Sequence, residues 1–240
     1  MATWTEAGET WNTTAGNKTV VATPSANDLI VVVAGATSAS TPTISVSDNN
    51  SDGNGTYFLI ATASGGGTNG LIRIYVRRDL IGSASSTTFT ATIGTDTGGG
   101  LTVMRLAGMY YTGYGAVRQF AQESTQTENP PSIAFSAATL TGNPILIGCL
   151  CEDNPAALTS PTGFTETTDT GYATPTTGIH ACFINSGATN STYAYQTGGS
   201  ATDHCEVAVE MNAAAFAASE VVAPAQQLVR SGAMCGLKRT

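Results

Sequence analysis

The chain has 240 residues, of which 41% are hydrophobic and only 11% are charged, and its formal net charge is −8. This length can bury the core of one large or two small domains, and the composition excludes a disordered chain. No apolar run approaches the roughly 20 residues of a membrane helix, and the first residues lack the basic start and apolar stretch of an export signal. We therefore expect no contact with a membrane.

Predicted strands follow one another along the first half of the chain. Short runs rich in Thr, Val, Ile and Tyr alternate with Gly, Asn, Asp and Pro, which is typical of many short strands. Helix formers are scarce outside a few Ala clusters, and this argues against an α/β enzyme. The first set of predicted strands is Thr19–Ala22, Leu29–Ala36, Thr43–Ser47, Thr56–Thr62, Leu71–Arg77, Thr87–Ile93 and Thr102–Ala107.

A second set of strands follows the breaker sequence NPPS at 129–132 and repeats the order of the first. Five landmarks match, among them ANDLIVVVAG with GNPILIGCLC and STPTISVSD with TSPTGFTETTD. We predict an all-β chain of two tandem, internally duplicated antiparallel β-sandwich units, jelly-roll-like, which either share one core or form two. The second set is Ile133–Ser136, Ile145–Cys151, Phe164–Thr168, Gly178–Ile184, Thr192–Gln196 and Cys205–Met211.

Burial patterns refine this organisation. Strand Leu29–Ala36 is apolar on both faces, so we expect it in mid-sheet, covered on both sides, with the other copy as one cover. The runs TFTATI and TYAYQT alternate instead, which predicts one buried and one exposed face. The predicted divisions are an N-terminal arm (1–17), sandwich copy 1 (18–112), a linker (113–130), sandwich copy 2 (131–213) and a C-terminal arm (214–240).

The two ends of the second half differ in charge. Between Gln119 and Val229 the chain carries ten acidic residues and neither Lys nor Arg, so this half should repel nucleic acid. The C-terminal arm combines apolar and basic side chains, and exposed apolar residues favour a partner over a frayed terminus. The candidate partner-binding residues of this arm are Phe216, Val221, Leu228, Arg230, Lys238 and Arg239.

Two sets of residues have the chemistry of metal ligands. Asp48, Asn50 and Asp52 match the first half of a calcium loop, but the twelfth position is Leu59 instead of Glu, and a hairpin loop needs the same residues. In the second copy, Cys149 and Cys151 share one strand face, as do His180 and Cys182, and adjacent strands would bring them towards a zinc ion. Cysteines in an apolar strand are more often buried thiols, so we expect no metal and no cofactor.

No pattern indicates catalysis. The chain has no GxSxG motif, and Asp203 and His204, as strand neighbours, point to opposite faces. The acidic residues of the 152–169 region lie in turns without an aromatic-rich strand to hold a sugar. The glycine-rich strings SGGGTNG and DTGGGL lie between predicted strands and read as hairpin loops, not phosphate cradles. We therefore expect no enzymatic activity, and a metal-dependent enzyme is the least favoured alternative.

The repeated pattern also resembles a family. The segments ANDLIVV, STPTISVSD, NGTYFLIAT and LTVMRLAGM, with GNPILIG and SPTGFTET in the second copy, are similar to Thr/Gly-rich β-sandwich proteins of phages and bacteria. The resemblance covers roughly residues 18 to 212, and GF replaces the GW turn that is common there. In phages, such sandwiches resemble capsid decoration, cement or tail appendage proteins, which are usually oligomeric and lack cofactors.

The resemblance implies a function. We expect a virion protein on the capsid surface, assembled in the host cytoplasm, whose partners are the major capsid protein and copies of itself in a dimer or trimer. A carbohydrate-binding or tail-borne receptor-binding module is the alternative, because β-sandwiches host such sites on the same fold.

Overall fold

The structure, a computed structural model, describes residues 2–38, 42–52, 55–65, 70–94, 97–151, 158–173, 176–196 and 203–213. In this part of the chain the only helical element is a single 3-10 turn at Gly113–Ala116, which is far too short to cross a membrane. The strands are β1 (Thr3–Asn12), β2 (Lys18–Ala22), β3 (Leu29–Thr37), β4 (Thr43–Asp48), β5 (Tyr57–Ser64), β6 (Leu71–Arg77), β7 (Thr87–Gly94), β8 (Gly98–Ala107), β9 (Val117–Gln126), β10 (Ser132–Ala134), β11 (Ile145–Cys151), β12 (Thr165–Ala173), β13 (Thr176–Ile184), β14 (Thr192–Ala194) and β15 (His204–Met211).

The all-β prediction is confirmed. Every strand predicted from the sequence overlaps one of β2–β8 or β10–β15. The alternation in TFTATI is observed in β7, whose residues are buried and less buried in turn. Strand β3 is buried along its whole length, as its two apolar faces predicted.

The strands form two large and two small antiparallel sheets. The first large sheet has the order β1-β8-β3-β6-β5 and the second β12-β13-β11-β15-β9, while β2-β7-β4 and β10-β14 form the small sheets. Read from its other edge, the second large sheet has the order β9-β15-β11-β13-β12, so each strand takes the place of its counterpart in the first. The two halves therefore share one strand order, and their origin by duplication stays a prediction.

The four sheets stack in layers around three cores. Within each half the large sheet packs against a small one, with Ile30 and Val32 in the first of these cores and Ile145 and Ile147 in the second. The third core lies between the two large sheets, where Val31 and Val33 of β3 meet residues of β11, β13 and β15. The sequence left open one core or two, and the structure has a core in each half plus a shared one. A strand covered on both faces must be apolar on both, which explains β3 and β11.

The two large sheets face each other, and each edge strand lies beside the edge strand of the other sheet that is not its counterpart. Strand β1 lies beside β12, where Thr167 Oγ1 donates a hydrogen bond of 2.9 Å to Glu6. At the opposite edge β5 lies beside β9, and the amide of Thr62 donates to Gln122 Oε1 at 3.1 Å. Since β1 and β9 are counterparts, as are β5 and β12, the two edge contacts are equivalent and the halves are related by an approximate twofold axis.

The predicted N-terminal arm is wrong. Residues 3–12 are edge strand β1, which pairs with β8 along its length, and Trp4 is buried in the core between the large sheets. Trp11 packs over Gly35 and Gly100, where a Cβ atom on Gly100 would lie 2.5 Å from the indole ring. The glycines of DTGGGL therefore belong to β8 instead of forming the predicted loop, and Gly100 among them makes room for a tryptophan.

One further prediction differs from the structure. The predicted linker contains β9, an edge strand of the second large sheet. This strand was missed because it is polar and lacks the apolar run that marks a central strand. The landmark that matches STPTISVSD with TSPTGFTETTD agrees with the structure at its start only: β4 pairs with β7, and Thr159 O accepts a hydrogen bond from the amide of Gln196, just after β14, whereas the end of the second segment belongs to β12.

Candidate functional site

The candidate calcium loop is held by an ion-pair network. Arg77 Nε lies 2.9 Å from Asp48 Oδ2, and Arg77 Nη2 lies 2.7 Å from Asp52 Oδ1. The side chains of Arg77 and Asp48 are 3% and 0% exposed. Burial opposes the ionisation of Asp52, but hydrogen bonds from Arg77 and from the Gly82 amide outweigh it and lower the pKa of this carboxyl.

The third calcium candidate also has a structural role. The Asn50 side-chain amide donates to Ser83 O, Ser85 Oγ and Thr87 Oγ1, the last at 2.7 Å, and so ties the loop to the start of β7. The guanidinium of Arg77 thus takes the position between the carboxylates that a cation would need. The geometry favours the hairpin-loop alternative over a calcium site.

The candidate zinc ligands do not converge on one point. Cys149 and Cys151 are buried, with their sulfur atoms 3.8 Å apart. His180 lies opposite Cys149 on β13, but its Nε2 is 3.2 Å from Ser160 Oγ and 3.5 Å from a Glu166 oxygen. Cys182 lies opposite Ile147, two pairs further along the ladder. In the described residues, no three of these four bring ligand atoms within mutual reach of one ion.

Burial opposes the charged forms of Cys149, Cys182 and His180. It raises the pKa of the Cys149 and Cys182 thiols well above the ordinary range, so both are protonated at neutral pH. It also lowers the pKa of His180 to about 4, so this ring is neutral. The ring of Tyr195 meets that of His180 edge-on at 5.0 Å. These side chains form the core of the second half.

Two buried glutamates on β15 went unnoticed in the sequence. Glu210 is fully buried and accepts hydrogen bonds from Arg118, Gln119, Asn143 and the Leu140 amide. Glu206 is equally buried, and neither of its oxygens has a hydrogen-bond partner among the described residues. Burial first, and then the charges of Glu123 and Glu128, raise the pKa of Glu206 well above its usual value. The sequence does contain a pattern that predicts this arrangement. In HxExxxE, the even spacing of His204, Glu206 and Glu210 places the three side chains on one face of the strand.

A groove follows the seam where β5 and β9 meet. Its volume is about 410 Å³, and it is open to solvent. Tyr114 is 60% and Phe120 is 48% exposed, and the ring of Tyr114 stacks on Phe58 with 4.5 Å between centroids. Leu59 on β5 is also exposed. We call Leu59, Tyr114 and Phe120 the seam patch; the groove is lined by Ile60, Tyr114, Val117, Arg118, Gln119, Phe120 and Ser136.

The described chain ends next to this groove. The amide of Asn212 donates to Ala116 O at 2.7 Å, and Val117, the next residue after Ala116, lines the groove. The amide of Ala213 donates to Asn143 Oδ1 at 3.2 Å. The partner-binding residues predicted for the C-terminal arm lie beyond this point, outside the described residues: Phe216, Val221, Leu228, Arg230, Lys238 and Arg239.

Comparison of the chain with protein-family models, with curated protein sequences and with solved structures gives no significant match.

Proposed function

We propose that this chain is a structural virion protein of the capsid decoration or cement type, which acts through contact surfaces instead of chemistry. The observation that carries the proposal is the seam patch. Phe120 and Tyr114 expose large apolar surface beside a groove, and a soluble protein rarely does so without a partner. Aromatic residues of this kind are enriched at the centres of protein interfaces.

The proposed occupant of the groove is the C-terminal segment, residues 214–240, of a neighbouring copy. The described chain ends at the groove edge, because the amide of Asn212 is hydrogen-bonded to Ala116 and that of Ala213 to Asn143. The C-terminal segment offers Phe216, Val221 and Leu228 as apolar anchors. Its basic end carries Arg230, Lys238 and Arg239. These positive charges complement the acidic residues between 119 and 229, a stretch that has neither Lys nor Arg. Exchange of such segments between copies would give a closed dimer or trimer.

The layered fold suits such a role. Four sheets with three cores make a rigid block, and rigid partners lose little conformational entropy on binding. The proposed partners are further copies of this chain and the major capsid protein, and the proposed location is the capsid surface.

The first experiment measures the oligomeric state of the full chain, of a chain ending at Ala213, and of Phe120→Asp by light scattering after gel filtration. We expect an oligomer for the full chain and monomers for both variants. Val21→Asp is the matched control, because Val21 is 67% exposed on β2 of a small sheet and lies outside the groove. A monomeric full chain, or an oligomer that survives both changes, would refute the exchange.

The second experiment tests the capsid. Capsids assembled from the major capsid protein that is encoded nearest to this chain's gene are incubated with each variant and sedimented. We expect saturable binding of the full chain and loss of binding on removal of 214–240, with circular dichroism confirming that the shortened chain is folded. Unchanged occupancy would contradict the role of the segment, and no binding of the full chain would contradict the decoration function.

A carbohydrate-binding or tail-borne receptor-binding module is the second candidate, favoured by two exposed tyrosine rings. Exposed Tyr110 and Tyr114, at 69% and 60%, offer flat apolar faces of the kind on which sugars stack. A glycan array separates the two functions: a specific hit that Tyr114→Ser abolishes, together with no capsid binding, supports the second candidate.

A further inference from the structure

The buried glutamate without a partner lies on a strand face with a buried histidine. His204 and Glu206 are two residues apart on β15, so both point to the same side of the sheet, opposite to Cys205 and Val207 of the shared core. Both side chains are 0% exposed. They thus face the interior of the second half, beside Cys151, which pairs with His204 across the ladder.

None of the four polar atoms of this pair has a hydrogen-bond partner among the described residues. These atoms are both ring nitrogens of His204 and both carboxylate oxygens of Glu206. The nearest approach between the pair, from His204 Nε2 to Glu206 Oε2, is 3.8 Å, which is too long for a hydrogen bond. Buried polar groups are nearly always satisfied, because an unpaired one destabilises the fold.

Glu210 shows that this strand is able to satisfy a buried carboxylate. It lies four residues from Glu206 on the same face, and four donors surround its two oxygens, including Arg118 Nη1 at 2.5 Å. The direct neighbours of Glu206 carry no positive charge: Glu123 lies opposite it on β9, and Cys149 lies opposite it on β11. A further carboxylate, Glu128, follows β9. No Lys or Arg exists between residues 119 and 229 to neutralise them.

Glu128 completes a set of three potential ligands. One ligand atom from each of Glu128, His204 and Glu206 lies within 4.8 Å of the others. Glu128 Oε1 also accepts a hydrogen bond from Ser132 Oγ at 3.2 Å, which holds this side chain in place. Glu128 is partly exposed, so the set is open towards solvent on that side.

We propose that Glu128, His204 and Glu206 form a binding site for a divalent transition-metal cation, with zinc as the favoured ion. An imidazole nitrogen with two carboxylates is a ligand set that zinc accepts, whereas calcium takes oxygen ligands only. One bound dication would give a carboxylate oxygen of Glu206 and a ring nitrogen of His204 the partner that they lack, and its two charges would balance those of Glu128 and Glu206. Three protein ligands leave a fourth position for water or for an acidic or imidazole side chain of a partner. The site does not depend on the proposed assembly function.

The test uses the full chain, stripped with a chelator and titrated with zinc chloride in a calorimeter and in thermal unfolding. We expect one zinc per chain and a higher Tm that the chelator reverses. Calcium chloride should bind far more weakly. Glu206→Gln and His204→Gln should each weaken zinc binding by at least about 100-fold, since even the loss of an outer partner costs 10- to 100-fold.

His180→Gln is the matched control, because His180 is another buried histidine of this sheet but is not one of the three ligands. It should bind zinc like the unmodified chain. Cobalt distinguishes this site from the cysteines, since binding at Cys149 or Cys151 would give an intense thiolate charge-transfer band and binding at the proposed site would not. No zinc binding, the thiolate band, or unchanged binding by Glu206→Gln would overturn the proposal. If a variant fails to fold, the effect of zinc and chelator on the unmodified chain decides.

Discussion

Replacement of Asp48 by asparagine separates a structural ion pair from a calcium site. The Oδ2 atom of Asp48 accepts hydrogen bonds from Arg77 Nε at 2.9 Å and from the Tyr57 hydroxyl at 2.8 Å. Asp48→Asn keeps the shape of the side chain but removes the charge that faces a buried guanidinium. Breaking a buried pair on one side costs about 3 kcal/mol, because the buried guanidinium then keeps only Asp52, whose side chain is 16% exposed, as its counter-charge.

The expected loss is large enough to measure directly. For a chain of this size, about 3 kcal/mol corresponds to a fall in Tm of about 6 to 12 °C. Thermal unfolding followed by circular dichroism, with urea unfolding as a second probe, gives both quantities. Calcium should leave the Tm of the unmodified chain unchanged, because Arg77 already bonds to both Asp48 and Asp52.

Asp79→Asn is the matched control for this experiment. Asp79 forms an ion pair with Arg78 at 3.3 Å, but the two side chains are 71% and 60% exposed. Pairs of this kind contribute about 0.5 kcal/mol, so the control should barely change the Tm. The reasoning is refuted if Asp48→Asn costs no more than Asp79→Asn, or if calcium raises the Tm of the unmodified chain.

Two further predictions test the interior. Gly148→Val should destabilise the chain by about 1 to 3 kcal/mol in urea unfolding, because a Cβ atom there would lie 2.8 Å from Val33 of the opposite large sheet. Gly142→Val is its control, because no atom lies within 4 Å of a Cβ atom at that position. Equal losses of stability in the two variants would argue against close packing of the two large sheets. Burial lowers the pKa of His180 from 6.5 to about 4. Between these pH values the unfolded chain binds a proton at His180 that the folded chain does not bind. The free energy of unfolding should therefore fall as the pH drops from 6.5 towards 4. Between pH 7 and pH 4.5 the chain should lose about 2 kcal/mol more than His180→Gln loses, and the same pH dependence in both would contradict this origin.

The strands were predictable because their signal is local. In β7 the side chains alternate between buried and less buried, and this period of two is written in TFTATI itself. The double apolar face of β3 likewise predicted cover on both sides. The edge strands β1 and β9 were missed because a strand with one exposed edge and a polar sequence resembles a loop until its partner is known.

In the candidate sites too, the sequence predicts local placement, and the tertiary structure decides the contacts. The sequence placed Cys149 and Cys151 on one face correctly, but only the packing of β12 and the segment around Ser160 draws His180 away from them. It identified Asp48 and Asp52 as a pair of oxygen ligands, yet their cation is Arg77, which follows 25 residues after Asp52 and reaches them through the pairing of β5 with β6.

What the sequence alone determined, then, is the strand content and the faces that must be buried, since both depend on neighbours along the chain. The tertiary structure decided which sheet covers which face, and it gathered Glu128, His204 and Glu206 into one cluster. His204 and Glu206 come from β15 and Glu128 from the segment after β9, far apart in the chain, and the ladder between β9 and β15 together with the burial of the shared core brings them together. Such long-range pairing depends on the free energy of the whole fold, which no local pattern encodes.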